Sequence, residues 1–261
     1  LVTGTWGKYT SDDFSKIRDT KIIEVRQDEI ENYVQNPWDI NDIEFLHLTS
    51  NETINGIQLR EFNKINHDSL IIDMSSDIGS YSFEWDNLAY IYAGAQKNMG
   101  IPGVSICIGD EQYLNTENNS KYLNLGQLVE KNSLLNTPPT FSIYILKLVT
   151  DWMIQMGGVK YFEEKSIRQS SRLYEQLNSY KDFLLLPVCD YSKSRSNIIF
   201  KFENNELEKK FLMEAGEKGI IGLNGHRSEG GVRISLYNSI TDEMVDYLSE
   251  FIDQFFVSNG K

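Results

Sequence analysis

The sequence is poor in cysteine and in positive charge, and it contains no long hydrophobic run. Two cysteines, Cys107 and Cys189, cannot form a disulfide framework, and both lie among apolar neighbours in strand-like stretches. We therefore expect both to be buried in a reducing, cytoplasmic protein. The 25 Lys and Arg against 38 Asp and Glu give a net charge of −13, which disfavours nucleic acid and anionic membranes as partners. No stretch approaches the roughly 18 apolar residues of a membrane helix.

The composition is that of a folded globular chain. Its 261 residues are 40% hydrophobic and 12% aromatic, enough for one large domain or two modest ones. Short apolar runs bounded by turn residues alternate with longer segments of helical period, which is typical of an α/β fold with a mostly parallel sheet covered by helices. The predicted strands of this sheet are Lys21–Val25, Ile43–Thr49, Leu70–Met74, Ala89–Ala93 and Gly103–Ile108.

The second half of the chain is predicted to hold longer helices and a smaller α+β unit. A helix should begin at Pro138-Pro139-Thr140 and end before Gly157-Gly158, because proline suits a helix start and glycine a helix end. The change of pattern at this break predicts a large domain over 1–157 and a small C-terminal domain over 158–261. Further predicted elements are helices Val159–Tyr180 and Glu206–Gly219, strands Asn197–Phe202 and Val232–Leu236, a last helix with an apolar face from Met244 to Phe255, and a polar loop at Asn115–Asn119.

Three stretches differ from ordinary core or surface, and the first centres on Lys97. It follows the apolar run Tyr90–Ala93 and precedes Gly100 and Gly103. A lysine that is held away from water at the end of a strand has a lowered pKa, and its neutral amine can act as a nucleophile. Taken alone, such a lysine is more often one whose ammonium group simply reaches solvent.

The second stretch places Asp73 near the end of the strand Leu70–Met74, ahead of Lys97. Because ligands of open α/β sheets bind at the carboxyl ends of the strands, both side chains are expected at one crevice. Pyridoxal 5′-phosphate (PLP) requires such a pair, an amine for its aldehyde and a carboxylate that keeps its pyridine nitrogen protonated. The alternative for Asp73 is a turn cap with Ser75 and Ser76.

The third stretch concentrates positive charge around a glycine pair. His226, Arg227 and Arg233 lie close together in a chain whose net charge is −13. Arginine donates two parallel hydrogen bonds to a carboxylate or a phosphate, so this cluster predicts an anion-binding site. The alternative is that the arginines form surface ion pairs with Glu229 or Asp242.

Taken together, these stretches resemble the phosphoserine aminotransferase family, PLP-dependent class-V aminotransferases of fold type I. The resemblance runs in order from about Thr3 to the C-terminal helix. It implies an incomplete large PLP-binding domain with helices on both faces of the sheet, followed by the small domain. The matching motifs are Thr3-Gly-Thr-Trp6, Leu48-Thr-Ser-Asn-Glu-Thr53-Ile-Asn-Gly56, Asp73-Met-Ser-Ser76, Tyr92-Ala-Gly-Ala-Gln-Lys97-Asn98, Asn136-Thr-Pro-Pro-Thr-Phe141, and Gly225-His-Arg227 followed by Gly230-Gly-Val-Arg233.

The resemblance implies a role for each matching residue. Lys97 would carry PLP as a Schiff base and move a proton between the substrate Cα and the cofactor, while Asp73 would hold the pyridine nitrogen. Arg233 would bind the α-carboxylate of the substrate, and His226 with Arg227 would bind its phosphate or second carboxylate. No metal ligand is implied. The remaining implied cofactor contacts are Trp6 on the ring, Thr53 at its hydroxyl side, Gln96 at the phosphate, and Asn136 with Thr137 at the phosphate bound by the opposite subunit.

The implied reaction is reversible amino transfer between L-glutamate and 3-phosphohydroxypyruvate, which gives O-phospho-L-serine and 2-oxoglutarate in serine biosynthesis. Because one pocket serves the two substrates in turn, ping-pong kinetics are expected. Because Asn136 and Thr137 would complete the site of another subunit, a homodimer is expected as well.

One departure from the family concerns the start of the chain. Members begin with a further segment that supplies a glycine-rich phosphate cradle and a His-Arg substrate contact, whereas this sequence opens on Leu1-Val2-Thr3-Gly4, without an initiator Met or a signal-peptide pattern. Apolar surface that this segment would cover is expected to be exposed or repacked.

The alternative function is therefore a truncated, non-catalytic fragment or interaction subunit of the same fold. A third reading is another enzyme on this scaffold, an alanine–glyoxylate type transaminase or a desulfurase, although a desulfurase would need an exposed cysteine in a mobile loop.

Overall fold

A computed structural model describes residues 1–114 and 124–259. Its helices are α1 (Thr5–Phe14), α2 (Ile30–Gln35), α3 (Glu111–Leu114), α4 (Leu125–Glu130), α5 (Thr140–Gln155), α6 (Gly158–Ser179), α7 (Asn205–Glu217) and α8 (Asp242–Asn259), with a 3₁₀ turn at Phe62–Lys64. Its strands are β1 (Leu46–Thr49), β2 (Asn51–Glu52), β3 (Ile57–Gln58), β4 (Leu70–Asp73), β5 (Leu88–Gly94), β6 (Ser105–Gly109), β7 (Leu184–Leu185), β8 (Asn197–Phe202) and β9 (Val232–Ser235). The loop predicted at Asn115–Asn119 lies outside the described residues.

The central sheet has the strand order β1-β4-β5-β6. Strand β4 pairs in parallel with both β1 and β5, while β6 pairs antiparallel with β5 at the edge. The register aligns Thr49 with Asp73 and Asp73 with Tyr92, so the carboxyl ends of the three parallel strands lie side by side. The prediction of a mostly parallel sheet is confirmed, and its geometry brings Asp73 close to the turn that follows β5.

The predicted strand Lys21–Val25 is wrong. The short apolar run that suggested it does contribute to the hydrophobic core, through Ile23 and Val25. The segment, however, pairs only with Val2, through one bridge between Val2 and Glu24. The chain next to it turns into α1 at Thr5, so there is no neighbouring strand to extend the pairing.

The C-terminal part of the chain builds a second hydrophobic cluster around a three-stranded antiparallel sheet of order β7-β8-β9. Helices α6 and α8 pack on each other, and α7 packs on β8. The aromatic side chains of Phe200, Phe211 and Phe255 fill the centre of this cluster. Helices α5 to α8 and strands β8 and β9 confirm the predicted elements, while the boundary at residue 157 stays a prediction.

Helix α5 is strongly apolar, yet Met153 is its one buried residue. Phe141 and Ile154 are 68% and 67% exposed. In the described part of the chain, much of α5 has no packing partner.

The expectation of two buried cysteines is wrong. Cys107 is exposed because β6 is an edge strand whose outer face is uncovered, and Cys189 is only partly buried. Cys189 lies outside any strand, where its thiol contacts the Gln27 carbonyl oxygen at 3.1 Å. Cys107 lies in a regular strand and not in the loop that a desulfurase would need. None of the helices within the described ranges is long and apolar enough to span a bilayer.

Candidate active site

The ends of the parallel strands position Lys97 in a turn that directly follows β5. Burial lowers the pKa of Lys97, and the positive charge of Arg233 acts in the same direction. The carboxyls of Asp73, Asp77 and Glu52 oppose this shift. Burial outweighs them, so the neutral amine is more accessible than in a solvent-exposed lysine. The Lys97 side chain is therefore part of a partly buried polar site and does not simply extend into solvent.

Asp73 ends β4 beside this turn. Its Oδ1 atom accepts a hydrogen bond from the Ser75 backbone N–H at 2.9 Å, which is the turn cap that the sequence offered as an alternative. Within the described residues, no hydrogen bond reaches Oδ2 of Asp73. The turn cap and a ligand-binding role are therefore compatible, because each can use one carboxylate oxygen.

Trp6 approaches Lys97 from the first turn of α1. The Lys97 Nζ atom lies 5.9 Å from the centre of the Trp6 ring, within the range of a cation–π contact. The indole Nε1–H donates to Thr53 Oγ1 at 2.9 Å, which fixes one edge of the ring. Trp6 remains 41% exposed, so part of the ring is open to a ligand. Sequence matching and geometry agree in bringing Trp6, Thr53, Asp73 and Lys97 together.

Glu52 is a residue of this site that sequence reasoning missed. Its side chain is fully buried, and its two carboxylate oxygens accept the backbone N–H groups of Trp6 and Gly7, each at 2.7 Å. Burial raises the pKa of Glu52 to about 7, although these two hydrogen bonds act in the opposite direction. The available signal was its place beside Thr53, but no sequence pattern shows that a carboxylate will be buried.

Asp77 is a second missed carboxyl close to the site. It is fully buried, where it accepts hydrogen bonds from Ser50 Oγ at 2.5 Å and from Gln58 Nε2 at 3.0 Å. Burial raises the pKa of Asp77 to about 6, against the effect of these two bonds. Its negative charge is among those that act on Lys97.

Arg233 contributes positive charge to the same site from β9. Its Nε atom is buried and has no hydrogen-bond partner among the described residues. A buried N–H donor without an acceptor is costly, and a bound anion would remove that cost. The ion-pair alternative for the cationic cluster is not what the structure shows, because Asp242 pairs with Arg168 and Glu229 lies 3.8 Å from Lys201.

Five of the predicted site residues are not held in this cluster. Gln96, Asn136, Thr137 and Arg227 are exposed, and His226 contacts Ser228 Oγ at 2.9 Å through Nδ1. Among residues 1–114 and 124–259, no hydrogen bond or ion pair joins any of the five to Lys97 or Asp73. Their assigned roles stay predictions.

The Gln96 side chain lies against the backbone of its own strand. A Cβ atom placed on Gly94 would come within 2.5 Å of Gln96 Oε1, so the glycine makes room for this amide. The contact shows where the Gln96 amide lies in the single chain, at the end of β5 next to the Lys97 turn.

Comparison with known proteins places this arrangement in a family. The aminotransferase class-V family model matches residues 16–248. A phosphoserine aminotransferase from Herpetosiphon aurantiacus is 36% identical over 265 residues, which cover 100% of this chain and 74% of that protein.

Comparison with solved structures gives the same family. The phosphoserine aminotransferase from Bacillus circulans subsp. alkalophilus superposes with a TM-score of 0.92 at 35% identity, over 99% of this chain and 73% of that one. The PLP-bound phosphoserine aminotransferase from Trichomonas vaginalis gives a TM-score of 0.79 at 26% identity, over 97% and 74% of the two chains. The chain therefore belongs to the class-V aminotransferases and, among them, to the phosphoserine aminotransferase family.

Proposed function

We propose that this chain is a PLP-dependent phosphoserine aminotransferase, which transfers an amino group between L-glutamate and 3-phosphohydroxypyruvate. The observation that carries the proposal is the placement of Lys97, whose amine has a lowered pKa beside Asp73 and 5.9 Å from the centre of the Trp6 ring. An amine, a carboxylate and an aromatic ring at the ends of parallel strands form the set of groups that PLP chemistry uses.

The groups present fit PLP. Asp73 has one carboxylate oxygen without a hydrogen bond in the described chain, and the Thr53 hydroxyl accepts from Trp6, which leaves its own hydrogen available for a ligand oxygen. We propose that Lys97, Asp73, Trp6, Thr53 and Gln96 hold the cofactor. When bound, PLP supplies an electrophilic aldehyde carbon for the amino group and a ring that accepts electrons.

Lys97 and Asp73 perform proton chemistry in this proposal. Because burial lowers the pKa of Lys97, its Nζ atom can release and take up a proton near neutral pH at lower cost than an exposed amine. Asp73 would keep a proton on a ring nitrogen through Oδ2, while the Ser75 backbone N–H holds Oδ1 in place. Trp6 would exclude water from one side of the bound ring.

The substrates each carry two anionic groups, which suits a site with two cationic anchors. We propose that Arg233 binds the α-carboxylate, because its buried Nε atom has no other acceptor among the described residues. His226 and Arg227 would bind the second group, a phosphate in one substrate and a carboxylate in the other. Arg227 is exposed in the single chain, and the partly buried His226 uses only its Nδ1 atom in the contact with Ser228, which leaves its Nε2 atom for a ligand.

A homodimer in the cytoplasm completes the proposal. Asn136 and Thr137 are exposed ahead of α5, where they can reach the phosphate site of a second subunit. The partly uncovered apolar surface of α5 adjoins them and supports an interface in this region.

The direct test is an assay of O-phospho-L-serine formation from L-glutamate by the PLP-saturated chain. We expect 3-phosphohydroxypyruvate to be a better acceptor than 3-hydroxypyruvate, and we expect glyoxylate to be a poor one. Lys97→Ala provides the inactive control. No transfer to the phosphorylated acceptor, or preference for glyoxylate, would overturn the proposal.

A further inference from the structure

The first turn of α1 is capped from a distant part of the chain. Gly4 at the N-cap has no side chain to cap the helix, and the first turn contains no acidic residue. The free backbone N–H groups are bonded by a single turn that begins at Glu52. The Thr5 N–H donates to Asn55 Oδ1 at 2.8 Å, and those of Trp6 and Gly7 donate to the Glu52 carboxylate.

This arrangement requires a close fit between the turn and the helix. A Cβ atom on Gly4 would lie 2.7 Å from Glu52 Cγ, and one on Gly7 would lie 3.1 Å from Glu52 Oε1. Glycine at both positions lets the carboxylate approach the helix backbone. The contact therefore depends on the glycines of α1 and on Glu52, which lie 45 residues or more apart in the sequence.

A distant carboxylate achieves what a local cap cannot. A serine, threonine or aspartate at position 4 would satisfy helix N–H groups without burying a carboxylate that forms no ion pair among the described residues. No ion pair reaches Glu52 from the described residues, so its burial costs free energy that a local cap would not cost. Glu52 accepts a hydrogen bond from the Trp6 backbone N–H, and Thr53 in the same turn accepts one from the Trp6 indole N–H. The backbone and the ring of Trp6 are thereby both fixed relative to the strand ends of the site.

We propose that Glu52 is a positioning residue that sets the Trp6 ring in its place over Lys97. The proposal rests on the proposed function, in which Trp6 stacks on PLP. Glu52 itself contacts the backbone of Trp6 and Gly7, so it acts through Trp6.

The test compares wild type with Glu52→Gln. The glutamine side chain has the shape of glutamate, but its NH₂ group replaces one carboxylate oxygen and so places a donor opposite a backbone N–H. Glu84→Gln, at an exposed position, is the matched control. The chain without PLP is labelled with 5-fluorotryptophan and studied by ¹⁹F NMR at pH 8, with the Trp6 resonance assigned through Trp6→Phe. Amide hydrogen exchange at Trp6 and Gly7 is measured on the same proteins.

We expect a shifted or broadened Trp6 resonance and exchange about tenfold faster at Trp6 and Gly7 in Glu52→Gln, because one charge-assisted hydrogen bond is lost. The resonances of Trp38, Trp85 and Trp152 should not change, which shows that the variant is folded. We also expect PLP to bind about tenfold more weakly to Glu52→Gln, and Glu84→Gln to equal wild type.

An unchanged Trp6 resonance and unchanged exchange in folded Glu52→Gln would overturn the positioning role. So would a loosened Trp6 with wild-type affinity for PLP. Failure of the proposed function is separate, because it would appear in the wild-type chain as an absence of PLP binding.

Discussion

The Lys97 Nζ atom lies 5.9 Å from the centre of the Trp6 ring, so the turn after β5 and the first turn of α1 face one site. This relationship joins two residues that are 91 positions apart in the sequence. Asp73 enters the same site because β4 lies next to β5 in the sheet. The chemistry proposed for the chain depends on these three residues.

Replacement of Lys97 tests the covalent role directly. Lys97→Ala should remain folded but form no borohydride-reducible bond with PLP, because Lys97 is the one amine among the described residues that contacts the Trp6 ring. Lys165 is the internal control, since burial also lowers its pKa while its Nζ atom donates to the Asn238 carbonyl at 2.8 Å. Peptide mapping of the reduced wild-type chain should find PLP on Lys97 and not on Lys165. A trapped adduct that persists in Lys97→Ala would remove this lysine from its role.

Arg233 should matter equally for both substrates. Each carries an α-carboxylate, so Arg233→Gln should lower kcat/KM for glutamate and for 3-phosphohydroxypyruvate by a similar factor, on the order of 100-fold. Steady-state kinetics with each substrate varied in turn provide the measurement. A loss confined to one substrate would show that Arg233 binds the other anionic group.

Arg227 should discriminate between the substrates. Arg227→Ala is expected to raise KM for 3-phosphohydroxypyruvate about tenfold and to raise KM for glutamate by less, because a phosphate carries more charge than a carboxylate. The residue is exposed, so the fold should not change. Equal losses for the two substrates would contradict the assignment.

Buried carboxyls should make the stability of the chain depend on pH. Burial raises the pKa of Asp77 from 3.8 to about 6 and that of Glu52 from 4.5 to about 7. The folded chain therefore favours the protonated form of each, and their contribution to the free energy of unfolding is complete below about pH 4. It is lost as the pH rises through 6 for Asp77 and through 7 for Glu52, by roughly 3 kcal/mol each.

Denaturant unfolding at several pH values can separate these two contributions. The stability difference between wild type and Glu52→Gln should change between pH 4.5 and 7, in the direction that disfavours wild type at higher pH. The corresponding window for Asp77→Asn is pH 3.8 to 6. Glu84→Gln, at an exposed site, should run parallel to wild type. Parallel curves for all four proteins would contradict the buried charges.

Asn98, next to Lys97, should tie the site to the C-terminal part of the chain. Its side chain accepts from the Asn238 backbone N–H at 3.0 Å and donates to the Ile78 carbonyl at 3.1 Å. Asn98→Ala leaves a buried N–H without an acceptor and should lower the free energy of unfolding by about 2 kcal/mol. Asn178→Ala, on the exposed surface of α6, should change it by less than about 0.5 kcal/mol. Similar values for the two variants would show that the Asn98 bonds contribute little.

The sequence predicted the elements whose signals are local. The strand that ends at Asp73 and the strand that precedes the Lys97 turn were predicted from short apolar runs, and α5 was predicted from its proline start and glycine end. The prediction of a strand at Lys21–Val25 failed because a short apolar run indicates burial but does not show whether a neighbouring strand exists to pair with it. The prediction that Cys107 is buried failed for a related reason, since its neighbours in the sequence are apolar but β6 lies at the edge of the sheet.

The site was predictable only in part. Lys97, Asp73, Trp6 and Thr53 could be found because each belongs to a motif, and the structure brings them together. Glu52 could not be assigned a role, because its contacts with α1 depend on how the chain folds across 45 residues or more.

The most direct test of the account is a single-turnover reaction of the PLP-loaded chain with L-glutamate alone, with 2-oxoglutarate measured as the product. The account predicts about one equivalent of 2-oxoglutarate per bound PLP, because the chain must take up the amino group before any acceptor is present. Phospho-L-serine should form only when 3-phosphohydroxypyruvate is then added. Bound PLP with no release of 2-oxoglutarate would contradict the central claim that these residues form a working aminotransferase site.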